Sequence, residues 1–168
     1  MVELHKKSNA DATISVIEVP MKEASRFGIM NVDDSDNIVE FQEKPKKPKS
    51  NLASMGVYIF NWSILRDYFI KSEKSNKCFD DFGKDIIPMM LEDEREMYAY
   101  SFKGYWRDVG TIQSLWDANM DLIKYPHAID LNDSKWRIYT NTMANPPQYI
   151  GKNAQINESL IADGCAIL

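Results

Sequence analysis

The chain has 168 residues, of which 44% are hydrophobic and 27% charged, and its formal net charge is −5. This composition is typical of a soluble globular protein with one domain-sized core. The negative charge argues against broad binding of nucleic acid, and no apolar run approaches the roughly 18 residues that cross a bilayer. We therefore expect no nucleic-acid or membrane partner, and a cytoplasmic location.

The two cysteines, Cys78 and Cys165, lie far apart and lack the spacing of metal ligands. Neither is close in sequence to His5 or His127. Two free thiols in a reducing compartment are the simplest interpretation, and we expect no zinc site.

Strands and helices alternate along residues 1–125, which predicts an α/β class. Residues 12–19 are β-branched and end at Pro20, and a polar turn over 33–37 predicts a hairpin between strands 29–32 and 38–42. Further predicted elements are a buried strand over 52–60 with a bulge at Gly56, helices over 62–71 and 79–91, and a strand over 97–102.

The clearest predicted helix begins after Thr111, a residue type that favours the N-cap. Its apolar stripe consists of Ile112, Leu115, Trp116, Leu122 and Ile123. Residues 126–147 show little periodicity, so we expect them to form a linker.

The tail over residues 148–168 repeats small or aliphatic residues every six positions. One series is Ile150, Ile156, Ala162 and Leu168, and the other is Ala154, Leu160 and Ala166. This period is typical of the first coil of a hexapeptide β-helix, and an ordinary strand and turn is the alternative.

Glu43 and Lys44, followed by Pro45, place opposite charges at a predicted strand end. A carboxylate can accept hydrogen bonds from sugar hydroxyls, and a lysine can neutralise a phosphate. A solvated charged loop is the alternative, since three more lysines follow.

Two further candidates are Asp108 and Ser54. Asp108 lies between a strand and a capped helix, where it could bind Mg²⁺, although pairing with Arg107 or helix capping is the alternative. Ser54 lies in a strand near Gly56, where its hydroxyl could bind a ligand or simply the backbone. No glycine-rich phosphate loop, nucleophile elbow or histidine triad occurs in the sequence.

Taken in order, five segments resemble the glucose-1-phosphate adenylyltransferases (ADP-glucose pyrophosphorylases) of bacterial glycogen synthesis. The segments are Glu23–Gly28, Phe41–Pro45, Leu52–Phe60, Asp81–Pro88 and Tyr105–Thr111. The resemblance implies a doubly wound, Rossmann-like nucleotidyltransferase domain followed by a left-handed β-helix. It also implies an Mg²⁺-dependent reaction of ATP with glucose 1-phosphate that gives ADP-glucose and diphosphate.

The resemblance also implies roles for five residues. Gly28 would lie beside the sugar, Glu43 would bind its hydroxyls, and Lys44 would bind its phosphate. Ser54 would hydrogen-bond the sugar phosphate, and Asp108 would be one of two aspartates that hold the metal. Lys44 and Asp108 would be the catalytic pair.

The family's glycine-rich nucleotide loop and its other metal aspartate have no counterpart in this sequence. We therefore expect the carboxy-terminal part of a catalytic domain plus the start of a β-helix, inactive and self-associating in isolation. In a longer parent, the resemblance implies ATP and glucose 1-phosphate as partners, allosteric control, and a homotetramer or a heterotetramer with a regulatory paralogue.

Two other functions remain open. One is a nucleotidyltransferase that uses another base, such as a thymidylyl or uridylyl transferase. The other is a non-catalytic regulatory partner of the adenylyltransferase, which we would expect to lose the lysine or aspartate of the site. The presence of both Lys44 and Asp108 favours the catalytic lineage.

Overall fold

The computed structural model describes residues 1–74, 81–125, 129–131, 133–137, 139 and 144–168. These residues form two compact units, Met1–Lys103 and Gly104–Leu168. Within the described ranges, every helix is too short or too polar to cross a membrane.

The first unit is built on a mixed five-stranded sheet with the order β3-β2-β4-β1-β5. Its strands are β1 (Ala12–Glu18), β2 (Gly28–Val32), β3 (Ile38–Glu43), β4 (Leu52–Phe60) and β5 (Met97–Ser101). β1 pairs in parallel with β5, and the other neighbours pair antiparallel. The predicted strands, the hairpin and the α/β class are confirmed.

Helices connect these strands and contact the sheet. They are α1 (Val2–Lys7), a 3-10 turn (Ala24–Arg26), α2 (Trp62–Lys74), and a π-helix (Phe82–Ile86) that continues as α3 (Ile87–Glu92). Of the helix expected over 79–91, the described part begins at Phe82, after the cap residue Asp81. Phe79 lies outside the described residues. Pro88 stands in the first turn of α3, where the hydrogen-bond pattern changes from that of the π-helix to that of the α-helix.

The core forms where one face of β1 packs against the helices. Ile14 and Val16 are fully buried there, together with side chains from the other strands, α2, the π-helix and α3. On the opposite face Thr13 is buried and its Oγ1 lies 2.9 Å from Nδ1 of His5 in α1. The sequence pattern did not predict α1, which contacts the sheet through this hydrogen bond between His5 and Thr13.

β4 departs from the buried strand that its sequence predicts. Only Ala53 of β4 is buried, whereas Gly56 and Val57 are exposed. The cause is that β4 extends beyond β2, which pairs only with Leu52 and Ala53. The predicted bulge is confirmed. Ile14 of β1 pairs with Tyr58 and Val16 pairs with Ser54, so the register shifts between these pairs, and Gly56 lies within the shifted stretch with a φ of +72°.

The second unit contains α4 (Ile112–Lys124) and two short strands. Thr111 caps α4 as predicted, in a capping box with Ser114. The side chains that α4 buries are the polar Ser114 and Asp121, whereas Ile112, Leu115 and Trp116 of the predicted apolar stripe are exposed.

In the tail, β6 (Tyr149–Ile150) pairs in parallel with β7 (Ala166–Ile167). A parallel return of this kind is compatible with one β-helix coil and equally with a strand and turn. Cys165 is an exposed free thiol. Cys78, His127 and parts of the predicted linker lie outside the described residues.

Candidate functional site

At the outer hairpin of the first unit, Gly28 and Glu43 stand directly opposite each other in the β2–β3 ladder. A Cβ atom added to Gly28 would lie 2.7 and 2.8 Å from ring atoms of Phe41 and 3.1 Å from Oε2 of Glu43. Contacts below 3 Å require the neighbours to shift. The missing side chain of Gly28 therefore leaves the space that the ring of Phe41 and the carboxylate of Glu43 occupy.

Lys44 follows the end of β3 in a left-handed conformation, with φ of +46°. This backbone region is uncommon for residues other than glycine. The conformation is held by a hydrogen bond of 3.1 Å from the N–H of Lys44 to the carbonyl of Phe27. Nζ of Lys44 lies 3.5 Å from Oε1 of Glu43, and the lysine side chain is mostly exposed. A solvent-exposed ammonium thus stands beside a half-buried carboxylate.

A second glycine, Gly83 in the π-helix, approaches the same carboxylate. A Cβ on Gly83 would lie 3.1 Å from Oε2 of Glu43 and 3.3 Å from Oδ1 of Asp81. Glu43 is therefore flanked by two residues without side chains, Gly28 and Gly83, and Asp81 lies close by.

Asp81 caps the π-helix, and sequence reasoning assigned it no role. Its Oδ1 accepts hydrogen bonds from the N–H groups of Lys84 (3.0 Å) and Gly83 (2.8 Å). These backbone bonds, that of Lys84 first, hold the pKa of Asp81 below its usual value. The available sequence signal was an aspartate two residues before a glycine at a helix start, which is typical of an N-cap.

Stacked aromatic rings support this segment. The ring of Phe82 stacks on Phe60 at 5.3 Å and on Tyr58 at 5.6 Å between centroids. Such pairs add to the stabilisation that burial provides. β4 thereby fixes the position of Phe82, which lies between Asp81 and Gly83.

Ser54 lies on β4, which pairs Ala53 with Ile29 of β2. Ser54 thus lies one residue beyond the last pair of this ladder. The hydroxyl of Ser54 accepts a bond of 3.3 Å from the N–H of Gly56, which is the backbone contact considered as the alternative from the sequence. Because the hydroxyl acts as acceptor there, its own hydrogen remains a donor.

Asp108 belongs to the second unit, whereas Gly28, Glu43, Lys44 and Ser54 belong to the first. Oδ2 of Asp108 lies 3.2 Å from the position of a Cβ on Gly110, so the carboxylate is close to that glycine, just before α4. No group of three His, Cys, Asp or Glu side chains suited to a metal occurs in the described part of the chain. A single carboxylate supplies only part of the oxygen ligands that a divalent cation needs, so Asp108 by itself does not define a metal site.

The segment that leads to Asp108 is tied to α4 through Asp121. Oδ2 of Asp121 accepts hydrogen bonds from the hydroxyl of Tyr105 and Nε of Arg107, each at 3.1 Å, and also from Nη2 of Arg107. Arg107 holds the pKa of Asp121 below its usual value, with a smaller contribution from Tyr105. The sequence alone did not identify Asp121, because Tyr105 and Arg107 precede it by 16 and 14 residues.

Comparison with known proteins agrees with the expectation from the motifs. The profile of the nucleotidyl transferase family matches residues 1–125. The chain is 67% identical over its whole length to a glucose-1-phosphate adenylyltransferase of Clostridioides difficile, of which it covers 44%. It is 59% identical, over 99% of its length, to that of Desulforamulus reducens, covering 42% of that protein.

A third relative, the glucose-1-phosphate adenylyltransferase of Clostridium acetobutylicum, is 56% identical over the whole chain, which covers 44% of it. The chain thus spans less than half the length of these relatives. Because the family profile covers well over half of the chain, the resemblance is confirmed, and the chain belongs to the nucleotidyl transferase family.

Proposed function

We propose that this chain supplies the glucose 1-phosphate side of an adenylyltransferase site. In the reaction, ATP and glucose 1-phosphate give ADP-glucose and diphosphate. The observation that carries the proposal is the carboxylate of Glu43, flanked by Gly28 and Gly83, with the ammonium of Lys44 3.5 Å away. A sugar phosphate requires this combination of an acceptor for hydroxyls and a cation for phosphate.

Each residue has a role that its surroundings permit. Lys44 is exposed and can turn its charge to the phosphate, while Glu43 accepts hydrogen bonds from vicinal hydroxyls. Ser54 donates its hydroxyl hydrogen to the sugar phosphate. Gly28 lies on the sugar side of the site, and its missing side chain leaves room for Phe41 and for the carboxylate of Glu43.

The chemistry requires no protein nucleophile. An oxygen of glucose 1-phosphate attacks the α-phosphorus of ATP, a new oxygen–phosphorus bond forms, and diphosphate leaves with the electrons of the broken bond. Asp108 is the carboxylate of this chain that would hold Mg²⁺. When bound, Mg²⁺ offsets negative charge on the phosphates.

We extend the proposal to the architecture and the assembly. Residues 1–125 form part of a doubly wound nucleotidyltransferase domain, residues 126–147 a linker, and residues 148–168 the first coil of a left-handed β-helix. The parallel pairing of β6 with β7 and the six-residue period support the coil. The names of the relatives support the adenylyltransferase activity. From the family resemblance of the motifs we further propose a cytoplasmic enzyme of glycogen synthesis, active as a homotetramer or with a regulatory paralogue.

The test is a full-length chimera in which this sequence replaces the matching segment of the Clostridioides difficile relative. We expect Mg²⁺-dependent formation of ADP-glucose from ATP and glucose 1-phosphate. UTP and dTTP are assayed in parallel, so that activity with another nucleotide is detected. A folded chimera that is inactive with all three nucleotides, while the unmodified relative is active, would contradict the proposal.

A further inference from the structure

α4 buries polar side chains on one of its faces. Asp121 is 7% exposed and Ser114 is 8% exposed, and the two lie two helical turns apart. The apolar Leu115 and Trp116 are about half exposed. A buried carboxylate is costly unless it is well paired, so the burial of Asp121 calls for a specific explanation.

The partners of Asp121 both come from the segment immediately before α4. A single oxygen, Oδ2, accepts bonds from Tyr105 and from two nitrogens of Arg107. This arrangement fastens residues 105–107 to the third turn of the helix. Because a guanidinium offers several donors in a fixed plane, two bonds to it define its orientation as well as its distance.

Asp108 lies between two such fixed points. On one side Arg107 is bound to Asp121. On the other side Thr111 and Ser114 exchange hydrogen bonds of 3.1 Å in the capping box. Only residues 108–110 lie between these anchors, and within them the carboxylate of Asp108 rests against Gly110.

We propose that Asp121 is a positioning residue that sets, through Arg107 and Tyr105, where Asp108 presents its oxygen to a divalent cation. The inference rests on the proposed role of Asp108. Residues that orient a metal ligand typically change metal affinity by about 10- to 100-fold when substituted. Asp121 should therefore affect metal binding without contacting the metal.

The experiment compares Asp121→Asn with Asp93→Asn in the full-length chimera. Asp93 is a matched control, because it also accepts from a tyrosine hydroxyl (Tyr68, 2.8 Å) and a cation (Lys71, 3.1 Å) but belongs to the first unit. Electron paramagnetic resonance measures Mn²⁺ affinity in the presence of ATP. Steady-state assays give kcat and the KM for glucose 1-phosphate.

We expect Asp121→Asn to weaken Mn²⁺ binding at least about tenfold and to lower kcat by a similar factor. The KM for glucose 1-phosphate should change by less than about twofold, because Asp121 acts on the metal ligand and uniform sugar-phosphate binding is retained. Asp93→Asn should lower Tm and leave Mn²⁺ affinity and kcat within about twofold of the parent. Equal effects of the two substitutions would overturn the inference.

The double variant Arg107→Met/Asp121→Leu separates positioning from stability. Asp121 is the buried end of this pair and Arg107 is 40% exposed, so apolar side chains at both positions remove the buried carboxylate together with its partner and leave no unpaired charge. We expect this variant to recover the Tm lost in Asp121→Asn but not the Mn²⁺ affinity. Recovery of both would show that Asp121 contributes stability alone. If the unsubstituted chimera forms no ADP-glucose, the proposed function fails, and the Mn²⁺ affinities still decide the inference.

Discussion

Oε2 of Glu43 lies 3.1 Å from the point where a Cβ on Gly28 would stand, in the pair that joins the end of β3 to the start of β2. The carboxylate therefore uses space that exists only because position 28 has no side chain. This relationship links one backbone position to the orientation of a candidate substrate ligand, and it can be tested by filling the space.

Gly28→Ala should disturb both the fold and the sugar-phosphate site. The added methyl would displace Phe41 and the carboxylate of Glu43, and overpacking of this kind costs about 1–3 kcal/mol. In the chimera we expect the KM for glucose 1-phosphate to rise about tenfold, which corresponds to about 1.4 kcal/mol. Urea unfolding and steady-state kinetics measure the two effects.

Gly56→Ala is the control for this substitution. Its φ of +72° makes an alanine there strained by about 1–2 kcal/mol, yet no atom lies within 4 Å of the new methyl group. It should therefore lower stability and leave the KM unchanged. Equal KM values for Gly28→Ala and Gly56→Ala would argue against the close approach at Gly28.

Lys44→Gln should act mainly on binding of glucose 1-phosphate. The phosphate is present in the ground state and in the transition state, and an interaction made equally in both changes KM more than kcat. Losing a charge-assisted hydrogen bond of about 1.5–3 kcal/mol predicts a rise in this KM of about ten- to a hundredfold, with little change for ATP. Lys49→Gln is the matched control, because Lys49 lies in the same loop as Lys44 and pairs with Glu40 of β3. A rise confined to the KM for ATP would show that Lys44 is assigned to the wrong substrate.

Asp108→Asn should differ from Lys44→Gln in kind, because it removes a carboxylate ligand of the cation. We expect kcat to fall and the Mg²⁺ concentration for half-maximal activity to rise at least about tenfold, while the KM for glucose 1-phosphate changes little. Asp117→Asn serves as the control, since Asp117 is another carboxylate of this unit, in α4, and accepts a hydrogen bond of 2.9 Å from the side chain of Gln113. An Mg²⁺ dependence identical to that of the control would remove Asp108 from the metal site.

The ion pair of Asp121 predicts a defined dependence of stability on pH. Arg107 lowers the pKa of Asp121 in the folded chain, so the pair stabilises the fold at pH values above the ordinary aspartate pKa of about 4. This contribution is lost as the pH falls through the lowered value. The Tm difference between the parent and Asp121→Asn should therefore be constant from about pH 7 to 5 and shrink below about pH 4. Calorimetry across this range measures it, and a difference that does not vary with pH would contradict the pairing.

The sequence by itself determined the features that depend on neighbouring residues. Alternation and β-branching located β1 and the β2–β3 hairpin, and the N-cap preference of threonine located the start of α4. Glu43 and Lys44 could be proposed as a pair because they are consecutive in the chain. These signals are local, since they arise from backbone propensities and hydrogen bonds that span only a few residues.

Tertiary structure decided the contacts that depend on register and packing. The alignment that sets Glu43 against Gly28 follows from the β2–β3 register, and packing of the π-helix brings Gly83 to the same carboxylate. The incomplete burial of β4 follows from how short a stretch of it pairs with β2. The bond from Arg107 to Asp121 forms only when the preceding segment folds back on α4. No local propensity encodes these distances, because each depends on where separate segments meet in space.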